Sequence, residues 1–233
     1  MSYETTVINS LGEYISRIER ESVSFFYRGQ SQDWPLLPSI ARVGRGGYEE
    51  LIEFEHEIIS EFRRLSFPFF ERHPDSFSEW ILHAQHYGLP TRLLDWTSNP
   101  MKALYFAVED LDEGEDAVVW SWDSADVQWG EELPNLKTTS LYFHRPTHHN
   151  HRITSQESMF LVYPLMEGQT KIKPLQESFF KNAPRGELIE KMIIPKEKKV
   201  QFKRTLDDLG INRLTIYPCI ESVVTTIKNE YYM

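Results

Sequence analysis

Apolar residues recur at helical spacing through the first half of the chain and in strand-like runs through the second, and this segregation constrains the fold most. Strands that alternate with helices build a doubly wound parallel sheet, whereas segregated elements build an α+β domain. The expectation is a single compact α+β domain over 1–233, with N-terminal helices packed on a mostly antiparallel β core. The stretch NSLGEYISRIERE reads as an amphipathic helix capped by Asn9 or Ser10, with Leu11, Tyr14, Ile15 and Ile18 on one face. YEELIEFEHEIISEFRRL is the clearest helix, with Leu51, Phe54, Ile58, Phe62 and Leu65 as its buried stripe. In SFSEWILHAQHYG, Ser76 and Glu79 have capping-box spacing, Gly88 suits the left-handed C-terminal position, and Pro90 blocks continuation. Asn99 caps a further helix that begins at Pro100, with Ala103, Leu104 and Ala107 inward. SVSFFYRG, TRLLDWT, DAVVWSWD, SMFLVYP, ELIEKMIIP and RLTIYP read as strands, and EKKVQFKRTLDDLG as a helix that stops at Gly210. The region 124–147 gives no clear pattern.

A chain of 233 residues is long enough to bury a substantial core. Its formal charge of −10 argues against a broad nucleic-acid face, which needs clustered Lys and Arg, but leaves room for a local basic pocket. The single cysteine, Cys219, excludes an internal disulfide and points to a reducing compartment. No apolar run approaches bilayer-spanning length, and the opening MSYETTVINS lacks signal-peptide order. A soluble cytoplasmic protein with no membrane partner is therefore expected.

Three stretches concentrate polar and aromatic groups. In FYRGQ, Arg28 ends an apolar strand, where a guanidinium offers five fixed donors to a phosphate or carboxylate. Gly29 lets a ligand or another backbone come close. The plainer alternative is an Arg paired with a buried carboxylate such as Asp95. In HYGLPTRLLDWTSNPMKALYFA, His86, Tyr87, Thr91, Arg92, Asp95, Trp96, Thr97 and Ser98 crowd a strand end and a helix N-terminus, where free N–H groups collect ligands. A satisfied polar network is the plain reading of each alone; their density favours a cleft wall. In HRITSQESMF, Arg152 and Gln156 lie four apart, and Glu157 opens the expected strand, where a carboxylate is usually just solvated but can also serve as acid, base or ribose-hydroxyl acceptor. His148, His149 and His151 of THHNH lack a second ligand group at helical spacing, so no metal is expected. The sequence carries no phosphate loop, nucleophile elbow or dinucleotide fingerprint.

Together these stretches resemble the FRG domain, a bacterial and phage family named for its Phe/Tyr-Arg-Gly motif. FYRGQSQDWPLLPSIAR resembles its opening motif, AQHYGLPTRLLDWTSNPMKALYFA its longest, RITSQESMFLVYP its third, and KMIIPKEKKVQFKRTLDDLGINRLTIYP its closing portion. The motif-bearing core runs over approximately 22–218. Glu157 and Ser158 stand where family members tend to carry a small residue or Gly.

A weaker resemblance, to mono-ADP-ribosyltransferases, implies NAD as co-substrate. It assigns Arg28 to the NAD phosphate or ribose and Thr97 and Ser98 to the nicotinamide pocket. Trp96 or Tyr87 would stack, and Glu157 or Gln156 would stabilise an oxocarbenium-like transition state. Arg92 and Arg152 would join Arg28 on the pyrophosphate, His86 would be a further catalytic candidate, and Gly29, Thr91 and Asp95 would complete the cofactor wall. A carboxylate beside the developing charge supplies about 3 to 4 kcal/mol. The implied roles are a toxin or antiphage effector that modifies a macromolecular acceptor, or a non-catalytic module that holds a nucleotide or nucleic-acid end. A third reading has Arg28, His86 and Asp95 buried and mutually bonded, with no cleft.

Overall fold

The computed structural model describes residues 3–19, 25–43, 47–111, 114–123, 127–130, 140–146, 151–164, 168, 171–180 and 189–231. Among the described residues eight strands form one sheet: β1 (Glu4–Val7), β2 (Phe25–Gln30), β3 (Leu93–Thr97), β4 (Ala117–Asp123), β5 (Gln128–Gly130), β6 (Tyr142–His144), β7 (Ser158–Val162) and β8 (Ile189–Ile194). Their order is β1-β8-β4-β2-β3-β7-β6-β5. The pairs at the two ends, β1 with β8 and β5 with β6, are parallel, and the five between them are antiparallel. The helices are α1 (Leu11–Ile18), α2 (Tyr48–Ser66), α3 (Phe77–His86), α4 (Pro100–Val108), α5 (His151–Gln156), α6 (Lys199–Asp208), α7 (Arg213–Ile216) and α8 (Ile220–Glu230). Among the described residues no helix is long and apolar enough to cross a membrane.

Alternation along the strands divides the core between two faces. On one face Trp96, Trp120, Trp122 and Phe143 meet Leu36, Ile40, Leu175 and Phe180 from the irregular segments that cover it. On the other, Tyr27, Val119 and Met192 pack against Tyr14 of α1, Ala103 and Leu104 of α4, Phe202 of α6 and Ile216 of α7. Further along that same face, Leu93, Phe160 and Val162 pack against Ile59 of α2 and Trp80 and Ala84 of α3. Helices from both ends of the chain thus share one layer: the expected N-terminal helices are joined there by the expected helix near Gly210, α6, and by α7.

The predicted caps are formed. Ser10, Ser76 and Asn99 each accept from a first-turn N–H of their helix, and Gly88 and Gly210 adopt positive φ. Three expectations fail for local reasons. RLTIYP forms a helical turn, because Asn212 accepts from Leu214 and Thr215 N–H while Thr215 Oγ1 accepts from Asn212 N–H; that reciprocal cap outweighs the β-branched composition. Glu157 does not open β7. The chain closes α5 at Gln156, turns through Glu157 at φ 47°, and enters the strand at Ser158. In α2 the expected stripe holds for Leu51, Phe54, Ile58 and Phe62, which all pack against the core, but Leu65 is 57% exposed and the most deeply buried row is Leu51, Glu55 and Ile59. A carboxylate occupies the core position because Arg92 meets it there.

Candidate functional site

The two helix groups leave a gap over β2, β3 and β7. β2 and β3 pair in register at Tyr27 and Thr97. Next to that pair the Arg28 side chain donates from Nη1 to the Asp95 carbonyl at 2.5 Å, standing in for a strand-to-strand bond. The result is a cleft of about 280 Å³. Its floor is the sheet at Tyr27, Asp95 and Thr97; Gln85 and His86 of α3 form one wall, and Phe106 of α4 and Tyr217 the other.

Gly29 borders this cleft for a backbone reason. A Cβ there would collide with the Ala103 carbonyl oxygen and come within 2.7 Å of Ala107 N. The close approach that the sequence left open between ligand and backbone is thus that of α4 on β2.

Arg28 is half-buried, and its Nε is enclosed without a partner. Its bond to the Asp95 carbonyl is its only hydrogen bond among the described residues, where it makes no ion pair. Burial pushes the guanidinium below its ordinary pKa; the Asp95 charge opposes that shift and the Arg42 charge adds to it. Asp95 is exposed to the cleft, and its carboxylate accepts from Gln85 Nε2 at 3.1 Å. Gln85 is oriented from behind: Thr91 Oγ1 donates to its Oε1, while that hydroxyl accepts from Leu93 N–H at 3.2 Å.

Other polar groups of the cleft are engaged with protein. Thr97 Oγ1 donates to the Gln156 carbonyl at 2.7 Å, Ser158 Oγ to Gln156 Oε1 at 3.3 Å, and Gln156 Nε2 to the Ile216 carbonyl at 3.3 Å. Tyr217 Oη donates to Glu109 at 2.7 Å.

Of the residues singled out from sequence, the structure brings Arg28, Gly29, His86, Asp95, Trp96, Thr97 and Gln156 to this cleft. Trp96 meets it from the sheet side only, because its ring packs edge-on to Trp122 on the opposite face, with centroids 5.9 Å apart. It is not free to stack on a ligand. Tyr87 is 66% exposed, lies against Phe62, and does not line the cleft. Thr91 is fully buried, its backbone tied to Ser39.

Arg92 is only 1% exposed. Its Nε donates to Glu55 Oε2 at 2.7 Å, its Nη2 bonds the same oxygen, and its backbone N–H donates to Oε1 at 2.9 Å. The guanidinium is committed to holding α2 onto β3, and so is not presented to a pyrophosphate. The side chains of His151 and Arg152, and all of His148 and His149, lie outside the described residues.

Glu157 also leaves the site. Its left-handed backbone turns the carboxylate to the start of α4, where Oε1 accepts from Lys102 Nζ at 2.7 Å and Asn99 Nδ2 at 2.9 Å. Ser98 Oγ reaches the other oxygen at 3.5 Å. Burial works to raise the Glu157 carboxyl, but the Lys102 ammonium, with Asn99 and Ser98, outweighs it and holds the group below its ordinary range. Ser98 and Glu157 therefore fasten β3 to α5 rather than line the cavity.

The sequence reading missed the aromatic walls, Tyr27, Phe106, Phe160 and Tyr217. The signal for two of them was the period of two, which puts Tyr27 on the face of Gly29 and Phe160 on the face of Ser158.

Residues 23–116 match the family model of the FRG domain. The match runs from two residues before β2 to the residue before β4, a span that includes Tyr27, Arg28, Gln85, His86, Asp95, Thr97 and Phe106 of the cleft. No curated protein and no solved structure gives a significant match to the chain.

Proposed function

We propose that this cleft takes the ribosyl phosphate part of a nucleotide, and that the chain is an NAD-using enzyme of the ADP-ribosyltransferase type. The observation that supports the reading is Arg28, a guanidinium set into the sheet that, among the described residues, has one carbonyl partner and no carboxylate in an ion pair. A guanidinium partly withdrawn from water without a counter-charge is disfavoured, and a bound phosphate offsets that. The aromatic walls suit a base or a pyridine ring. The volume lies near the lower limit, about 300 Å³, of small-molecule pockets. It suits a nucleoside-sized group, with the rest of a dinucleotide outside. Cleavage at the ribose carbon would build positive charge beside the floor of the cleft, and a carboxylate there would stabilise it. Consumption of NAD, or modification of an acceptor, is the chemistry by which such a protein would act as a toxin or antiphage effector.

The test is release of nicotinamide from NAD by the purified protein, followed chromatographically. Release by the native chain that is lost in Arg28→Ala is expected. No release by the native chain, or equal release by the variant, contradicts the enzymatic reading.

One observation favours a second reading, a module that holds the nucleotide without turnover. The acidic side chain assigned to the transition state by resemblance, Glu157, is engaged by Lys102 and Asn99 away from the cleft. Under that reading ADP-ribose raises the melting temperature by mass action while no product forms.

A further inference from the structure

Among the described residues, Asp95 is the acceptor of this cleft that is left open. A carboxylate has about four lone-pair positions. The structure fills one of them, from Gln85 Nε2 to Oδ2. The hydroxyls of Thr97, Ser158 and Tyr217 all donate inward to protein. A ligand seated here therefore meets both Arg28 and a carboxylate that only accepts. The complement is a molecule with an anionic group and neighbouring hydroxyl donors.

The orientation of Asp95 is set by a chain of three groups. The Thr91 hydroxyl accepts from Leu93 N–H, which leaves its own proton for Gln85 Oε1. That fixes the amide with Nε2 outward, toward Asp95 and, at 3.5 Å, the Leu93 carbonyl. Thr91 is fully buried and its backbone N–H is tied to Ser39 Oγ at 3.0 Å, so the chain starts from a rigid point. Oδ1 and the remaining lone pair of Oδ2 are then adjacent acceptors that two neighbouring hydroxyls could engage together.

We propose that Asp95 reads the vicinal ribose hydroxyls of the nucleotide, and that Thr91 and Gln85 are positioning residues that aim it. The inference rests on the cleft being a ribosyl-nucleotide site. The Asp95 carboxylate takes the ribose-hydroxyl contact that the sequence offered to Glu157, while Arg28 takes the phosphate.

The test is the ratio of dissociation constants for ADP-ribose and its 2′-deoxyribose analogue, measured by calorimetry on the full chain. The native protein is expected to prefer the ribose form by about tenfold or more, as loss of a charge-assisted hydrogen bond implies. In Asp95→Asn and in Gln85→Met that ratio should fall toward one, with the melting temperature of each variant confirming folding. Thr91→Val should lower the ratio and Thr91→Ser should restore it, a rescue that a purely structural threonine would not produce in a ratio. Equal affinity of the native protein for both ligands overturns the inference and leaves the nucleotide reading standing. No binding of either ligand overturns both. Full discrimination retained in folded Asp95→Asn overturns the role of Asp95 alone.

Discussion

Glu55→Ala is the substitution whose cost the structure sets most clearly. The Glu55 and Arg92 side chains are each 1% exposed, and the carboxylate accepts the guanidinium and the Arg92 backbone N–H together. Removing the carboxylate leaves a guanidinium in the core without its counter-charge, a loss of about 3–5 kcal/mol. For a chain of this length each kcal/mol moves the melting temperature by about 2–4 °C, so a fall of roughly 6–20 °C is expected. Circular dichroism melts and urea unfolding both measure it. The double variant Glu55→Met with Arg92→Met removes both charges and should lie well above the single variant, because the desolvation cost vanishes with the pair. A loss below about 1 kcal/mol in Glu55→Ala, the value of an exposed pair, would refute the reasoning. It would also reopen the ligand-binding role that the sequence suggested for Arg92.

Two further outcomes follow from the same geometry. Gly29→Ala drives a methyl group into the Ala103 carbonyl, so α4 must move off β2; a loss at the upper end of overpacking, about 3 kcal/mol, is expected in urea unfolding, and a neutral result would contradict the packing. The Glu157 carboxyl is held below its ordinary value of 4.5, so its contribution to stability is present above that pH and lost as the pH falls through the lower folded value; Glu157→Gln should melt below native at pH 7, with the gap closing in acid, and a gap independent of pH would count against the Lys102 contact.

Much of the fold was legible because the caps and the apolar periods agree with the tertiary structure. Ser10, Ser76, Asn99 and Gly88 all act where the sequence placed them. β1 was not legible: Glu4, Thr5, Thr6 and Val7 carry no alternating apolar pattern, and the strand exists as an edge paired to β8. β5 and β6 span three residues each, too few for a period to show. α8 was missed although Ile220, Val223, Val224 and Ile227 fall at the i, i+3, i+4, i+7 spacing of a helix face; that face is 40–71% exposed rather than part of the core.

At the site, residue type was readable and direction was not. Arg28 and Arg92 look alike in sequence, yet one is left with a carbonyl and the other is matched by a glutamate 37 positions away. Gln156 and Glu157 are neighbours, and only the positive φ of Glu157 separates their directions. Long-range partners and a single backbone torsion leave no local trace in the residues themselves.

The central claim is that a split between β2 and β3 presents an unpaired guanidinium to a nucleotide. Calorimetric titration of ADP-ribose into the native chain and into Arg28→Gln tests it most directly. The native protein should bind, and the variant should lose about tenfold or more in affinity while its melting temperature holds. Absence of binding by the native chain, or equal affinity in the folded variant, would contradict the account.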